Sequence, residues 1–214
     1  MRSAAATVVF AGGFIMMVLE VIGARLLAKD FGSSFHVWVS QIGVVMIALT
    51  AGYYLGGALA DRHPRAVVLT WLLCPAGLAL CFLPDWAPLL LDFIIQRHPL
   101  DQPIPAFWQK LDPVLGSALV FLAPCAALAT LSPFMIRFST RSMAQIGRSS
   151  GLVIAASTLG SIAGVFISGF VLIDHFRVSV IFRSMGVATI LLGVLCLGLE
   201  PGLSRVRESD RTPE

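Results

Sequence analysis

Six apolar runs make up most of the chain, and each is bounded by glycine, proline or charged residues. A helix of about 20 mostly apolar residues is long enough to cross the hydrocarbon core of a bilayer. The pattern therefore predicts an all-α integral membrane protein with six transmembrane helices and mostly short loops. The predicted spans lie at about 4–28, 36–60, 66–85, 113–136, 151–173 and 179–199.

Residues 86–112 form the one long connection between the predicted spans. Five prolines lie in or beside this segment and argue against one continuous helix. Its short apolar triplets cannot cross a bilayer, whereas Trp86 and Trp108 suit an interfacial belt. We therefore expect an external loop over 86–112, with a surface or re-entrant element.

The residues after Pro201 are polar, and the segment from Arg205 to Glu214 has no apolar face. A chain end of this kind is not held by packing. We therefore expect one six-helix membrane domain over residues 1–200 and a disordered cytoplasmic tail over 201–214.

Basic residues are distributed unevenly between the two sets of loops, and short loops rich in Lys and Arg stay in the cytoplasm. Nine arginines lie on the side of the two termini, against four basic residues on the other side. Both termini are therefore predicted to be cytoplasmic, and the expected location is the inner (plasma) membrane of a bacterium. The nine are Arg2, Arg62, Arg65, Arg137, Arg141, Arg148, Arg205, Arg207 and Arg211.

Composition agrees with the lipid bilayer as the main solvent. The 214 residues are 57% hydrophobic and 13% charged, whereas ordinary soluble domains have roughly 25% charged residues. A net charge of +3 with scattered arginines argues against nucleic-acid binding. The four cysteines lie in apolar stretches without metal-ligand or CxxC spacing, so we expect buried thiols, no metal and no cofactor.

Glu20 lies well inside the first span, where a lone carboxylate is costly and needs a partner, a proton or water. Arg25 on the same helix and Arg183 at the start of the sixth could each pair with it. The structural interpretation is an interhelix hydrogen bond or ion pair, and the functional one is a site for a proton or a cation such as a polyamine. Further polar lining could come from Gln41, Thr50, Tyr53, Tyr54 and Ser157, which the sequence does not place together.

Small residues recur three or four positions apart in two of the spans. In lipid, such stripes let helix backbones approach closely. They predict a packing seam inside the bundle or, as the alternative, a sliding or homo-oligomer surface. The stripes contain Gly52, Gly56, Gly57 and Ala60 in the second span, and Ser157, Gly160, Ser161, Gly164 and Ser168 in the fifth.

The link between the second and third spans carries an aspartate followed by arginines, Asp61, Arg62 and Arg65. Asp61 can pair with a basic residue or with a helix N-terminus across the bundle. The segment resembles the loop-2–3 motif of the major facilitator superfamily, G-x-x-x-D-R-x-G-R, with Pro64 in place of the later glycine. The alternative is an ordinary positively charged loop.

Spans 1–3 and 4–6 would cross the membrane in opposite senses. This is the arrangement of a 3+3 inverted repeat, as found within one half of a major facilitator transporter.

Motifs of the common enzyme sites are not found in the sequence. It contains no Walker loop, no H-E-x-x-H, no G-x-S-x-G and no glycine-rich dinucleotide turn after a strand. We therefore expect no catalytic residue. The histidines fall on loops or helix ends on both sides, where we expect them to be solvated or interfacial: His36, His63, His98 and His175.

Longer blocks of the sequence resemble one family, the transmembrane spermidine-synthase-like proteins, also described as fused major-facilitator/spermidine synthases. The resemblance is to their membrane domain and reaches from about residue 10 to 175. The matching blocks are Gly13–Leu27, Phe31–Ser34, Trp38, Gly52–Gly57 with Asp61 and Arg62, Leu131–Arg137, Gly147 with Arg148, and Ser157–Phe170.

In the fused members, a cytosolic aminopropyltransferase-like domain follows the helices and holds the active site. The sequence ends at Glu214, so we expect this chain to lack that domain. No catalytic residue is implied for it. The resemblance carries over only motif positions: Glu20, Arg25, Gly56, Gly57, Asp61, Arg62 and Gly160.

Three functions fit these observations. The first is a non-catalytic membrane subunit that recruits a separately encoded aminopropyltransferase-like protein through the loops Asp61–Arg65 and Arg137–Ser150. The second is a half-size transporter that forms a homodimer and moves an amine or related metabolite with the help of Glu20. The third is a structural or assembly role among other membrane subunits.

Overall fold

The computed structural model of the protein describes residues 2–63, 65–98, 104–139 and 146–198. All regular structure in these ranges is helical, and none of it is strand. A π-helical turn, Ser168–Leu172, joins two of the helices. The helices are α1 Arg2–Phe31, α2 Phe35–Arg62, α3 Ala66–Gln96, α4 Ala106–Ala129, α5 Leu131–Ser139, α6 Ile146–Ile167, α7 Ile173–His175 and α8 Val178–Gly198.

These helices form six segments that are long and apolar enough to cross a membrane. α4 and α5 together make one segment, and α6, the π-helical turn and α7 make another. Large apolar side chains cover the outside: Trp71, Phe93 and Phe170 are 77%, 76% and 71% exposed. The prediction of an all-helical chain with six candidate membrane-spanning helices is confirmed. The predicted tail, 201–214, lies outside the described residues.

The third helix is longer than the sequence pattern predicted. α3 continues to Gln96 with Pro84 and Pro88 inside it, instead of ending at residue 85. Pro84 cannot donate a backbone hydrogen bond, but the Trp86 indole Nε1 donates to the carbonyl oxygen of Ala79 at 3.0 Å and strengthens this turn. Neighbouring groups of this kind make prolines tolerable in apolar helices.

The fourth helix begins earlier than predicted, at Ala106, because Pro105 suits the start of a helix, where no backbone N–H is needed. The predicted external loop over 86–112 was therefore too long. Among its described residues, only 97–98 and 104–105 lie outside helices.

Local sequence explains where other helices end or bend. Gly32 has a φ of +82°, a left-handed conformation that glycine adopts without strain, and it ends α1. Pro133 lacks the N–H that would bond the Ala129 carbonyl, and the chain turns at Thr130 between α4 and α5. The Thr130 hydroxyl donates to the Ala127 carbonyl oxygen at 2.7 Å in that turn.

α1 and the α4–α5 segment form the centre of the bundle. In each, 56% of the residues in an apolar 18-residue stretch are buried, compared with 28% for α2 and 17% for the segment Ile146–His175. The aromatic rings of Phe121 on α4 and Phe182 on α8 lie 5.9 Å apart and are both fully buried, beside Leu19 and Ile22 of α1. The core therefore lies between the first and fourth segments.

The main helix contacts follow an exchange symmetry. α1 packs on α6, α2 packs on α4–α5, and α3 packs on α8; α3 also meets α4, and α1 meets α8. If the first segment is exchanged with the fourth, the second with the fifth and the third with the sixth, this set of contacts stays the same. The contacts of α1 with α2 and of α5 with α6 are exchanged with each other in the same way. A three-plus-three repeat produces this pattern.

Glycines make the closest helix approaches. A methyl group on Gly52 or Gly56 would overlap atoms of α4 and of the turn after it, and one on Gly160 or Gly164 would overlap backbone carbonyl oxygens of α1. Gly77 of α3 meets the Gly186 carbonyl oxygen of α8 in the same way. These three seams lie inside the bundle, where small residues let backbones approach.

Candidate functional site

Glu20 lies on α1 with its side chain partly buried. Its Oε2 atom is shielded from solvent and has no hydrogen-bond partner among the described residues. Arg183, one of its two expected partners, instead pairs with Asp85 of α3 at 3.2 Å. Arg25, the other, is exposed, and no described ion pair joins it to Glu20. The ion pair of Glu20 with Arg183, which the sequence left open, is therefore not formed in the described structure.

Neutral polar side chains of α2 and α4 lie near this part of α1. Cys125 of α4 is fully buried and lies within electrostatic range of it. One turn further along α1, Gly23 lies against the side-chain amide of Gln41 on α2. Ser117 of α4 donates to Gln41 Oε1 at 2.7 Å, whereas Gln41 Nε2 has no partner among the described atoms. Among the described residues, no ion pair supplies Glu20 with a positive charge.

A cleft lies between α1, α2, α4–α5 and α6. Its inner chamber has a volume of about 70 Å³, and its outer chamber, which lies nearer the end that carries Asp61 and Arg137, measures about 360 Å³. The two chambers share Tyr53, Ser132 and Ser157. The inner chamber is also lined by Gly12, Gly13, Met16, Met17, Leu49 and Ser161, among others.

The cleft ends one helical turn before Glu20. On α1 its lining residues follow a helical stripe through Val9, Gly13 and Met16 or Met17, and Glu20 occupies the next position of that stripe. The side chains of Met16 and Met17 therefore lie between the cleft and the carboxylate. Methionine is flexible and adapts its shape, so this barrier can rearrange more easily than one made of aromatic residues.

Some of the predicted polar lining converges on the cleft. Tyr53 and Ser157 line both chambers. Gln41 is instead buried beside Ser117. Thr50 is exposed and donates to the Met46 carbonyl oxygen of its own helix, and Tyr54 is 78% exposed. Ser132 and Ser161 complete the polar lining, and the sequence signal for Ser161 was its place in the small-residue stripe.

The motif between α2 and α3 lies at one end of the molecule. Asp61 Oδ1 is 3.7 Å from Arg137 Nε of α5, and both side chains are more than half exposed. Arg62 and Arg65 are exposed as well. Gly57 faces open space. An exposed charged rim therefore surrounds this end of the bundle.

Sequence reasoning missed a polar cluster at the opposite end of α3. Asp112 of α4, with a side chain only 6% exposed, accepts one hydrogen bond from Arg97 and contacts His98 Nε2 at 2.8 Å. The Arg97 guanidinium lies over the Trp108 ring at 4.2 Å. His98 is therefore not solvated, because its side chain is only 11% exposed; its expected interfacial position stays a prediction.

The remaining histidines, His36, His63 and His175, are exposed. The only sequence signal for the missed cluster was the presence of acidic and basic residues on both sides of a predicted connection. In the described ranges, no three His, Cys, Asp or Glu side chains come together as a metal site.

Comparison of the chain with protein families, with curated proteins and with solved structures gives no match.

Proposed function

We propose that this chain is a half-size membrane transporter for a small amine or a related cationic metabolite, with Glu20 as the cation-binding group. The observation that carries the proposal is the Glu20 Oε2 atom, which is buried and has no partner in the described structure. A charged group inside a membrane domain is expensive to maintain and marks a substrate or ion pathway. The cleft that ends one turn away supplies an approach to it.

The arrangement of the helices supports the same proposal. The exchange symmetry of the helix contacts is the kind found in transporters built from inverted repeats, whose binding sites lie near the repeat interface. Glu20 of α1 lies close to Cys125 of α4. These two helices belong to the two central segments, which the symmetry exchanges with each other. The proposal includes a homodimer of twelve spans with the Asp61 end in the cytoplasm, in keeping with the arginine bias.

Uptake into proteoliposomes tests the role of Glu20, with labelled putrescine and spermidine as probes. We expect Glu20→Gln to reduce uptake at least about tenfold, since loss of about 1.4 kcal/mol of binding corresponds to that factor. Asp174→Asn is the matched control, because Asp174 is an exposed carboxylate outside the cleft. Size-exclusion and thermal profiles report folding.

Unchanged uptake by the Glu20→Gln variant would contradict the role of Glu20 in transport. An unfolded Glu20→Gln variant would instead favour the structural interpretation of this residue.

The exposed charged rim favours a second candidate, the membrane subunit that recruits an aminopropyltransferase-like protein. Asp61, Arg62, Arg65, Arg137 and Arg148 are exposed at this end, and charged rims of this kind steer protein partners. Residues 140–145 of the second predicted docking loop lie outside the described ranges.

Purification from native membranes in mild detergent, followed by mass spectrometry, separates the candidates. A stoichiometric soluble aminopropyltransferase-like protein that is lost in Arg62→Glu/Arg65→Glu would support recruitment. The chain alone as a dimer would contradict recruitment and favour transport. Other integral subunits in fixed ratio would favour the assembly role.

A further inference from the structure

Among the described residues, no ion pair joins the Glu20 carboxylate to a positive charge on a helix packed against α1. α2 contributes neutral Gln41 beside Gly23, and Tyr53 in the lining of the cleft. α4 contributes Cys125, α5 places Arg137 at the far end beside Asp61, and α6 has no ionisable side chain between Arg148 and Asp174. Arg183 of α8 is held by Asp85, and Arg25 of α1 is exposed.

A carboxylate in such surroundings has two low-energy forms. It is neutral when it binds a proton, and it is compensated when a cation replaces that proton. The same Oε atoms serve both forms, so the two ligands exclude each other. A single site of this kind holds one positive charge at a time.

We propose that Glu20 exchanges one proton for one cationic substrate, so that the chain works as a cation/proton antiporter. This inference rests on the proposed transport function and specifies its coupling. On one side of the membrane, the O–H bond of the Glu20 carboxyl breaks, the proton leaves to water, and an ammonium group binds the carboxylate. On the other side, the ammonium leaves and a proton from water restores the O–H bond.

The charge balance of this cycle depends on the substrate. One singly charged cation moves for each proton moved in the opposite direction, so that exchange transfers no net charge. A doubly charged diamine would move one net positive charge for each proton, and its transport would respond to the membrane potential. Met16 and Met17, which separate Glu20 from the cleft, have to move aside for the cation to reach the carboxylate.

The site can be tested without transport by labelling the purified full chain with dicyclohexylcarbodiimide, which adds to protonated carboxyl groups in apolar surroundings. Mass spectrometry of the peptide that contains Glu20 should show the adduct at low pH and progressively less as the pH rises, because the carboxylate does not react. Putrescine or tetramethylammonium should lower labelling several-fold at a fixed pH. Glu20→Gln provides the unlabelled control, and Asp174→Asn, which changes an exposed carboxylate outside the cleft, should label as wild type.

Absence of the adduct at low pH, or an adduct that neither cation protects, would overturn the exchange. In proteoliposomes that are more acidic inside than outside, protons that leave through the protein should raise the accumulation of tetramethylammonium inside. A change of membrane potential should not alter this accumulation, because the exchange moves no net charge. Uptake that ignores the proton gradient would overturn the antiport and leave the proposed transport standing. If a cation protects Glu20 from labelling but no uptake is seen, the proposed transport is overturned. The competition of proton and cation for the Glu20 carboxyl would still stand.

Discussion

At the scale of single residues, Gly160 and Gly57 provide a matched pair for testing the packing seams. A methyl group on Gly160 would overlap the Phe10 carbonyl oxygen, whereas Gly57 has no neighbouring atom within 4 Å. Gly160→Ala should therefore lower the free energy of unfolding by about 1–3 kcal/mol, the usual cost of overpacking. Gly57→Ala should leave it unchanged or raise it by up to about 1 kcal/mol, because alanine favours helix.

SDS-induced unfolding in mixed micelles measures both variants, and equal effects would contradict the seam. The sequence showed that Gly160 belongs to a stripe of small residues, since that depends only on helical spacing. It did not show that the stripe meets Phe10, because the partner depends on which helices pack together. The same limit applies to Arg183, whose partner Asp85 lies 98 residues away in the chain.

At the scale of helices, the buried cluster around Asp112 fastens the end of α3 to the start of α4. Breaking a buried ion pair leaves an uncompensated charge, but the Arg97 side chain is 34% exposed, so water compensates part of it. We expect Asp112→Asn to cost about 2 kcal/mol in the same unfolding assay. Asp85→Asn, which breaks an exposed pair with Arg183, should cost less than about 1 kcal/mol. Equal losses would show that burial of Asp112 contributes nothing.

The α3 helix shows where pattern reasoning fails at this scale. Proline is a strong helix breaker in water, and the five prolines in and around residues 86–112 therefore predicted a loop. In an apolar environment a segment outside a helix leaves many backbone groups unpaired, so the chain stays helical through Pro84 and Pro88 and adds the bond from Trp86 to Ala79 in the same region. Hydropathy predicted all six helices because the length of an apolar run can be read from consecutive residues and does not depend on contacts with other parts of the chain.

At the scale of the whole molecule, the order of helix contacts could not be predicted from the sequence. The alternation of spans predicts opposite senses for the two halves, and this follows from counting. The packing of α1 on α6 and of α2 on α4 depends on contacts between distant residues, such as Gly13 against Ser157. The convergence of Tyr53 and Ser157 on one cleft follows from that packing, so the sequence could name these residues but could not place them together.

We predict that the second copy of the proposed homodimer covers the cleft, and cysteine cross-linking tests this arrangement. Thr158 is exposed on α6 at the outer chamber, whereas Trp71 is 77% exposed on α3 and lies outside the cleft. With the native cysteines Cys74, Cys81, Cys125 and Cys196 replaced by alanine, oxidation of Thr158→Cys should give a product of twice the monomer mass. Trp71→Cys should stay monomeric, because its face meets lipid. Cross-linking through Trp71→Cys alone would contradict this arrangement. It would place the contact between the copies on α3 and leave the cleft of each copy uncovered.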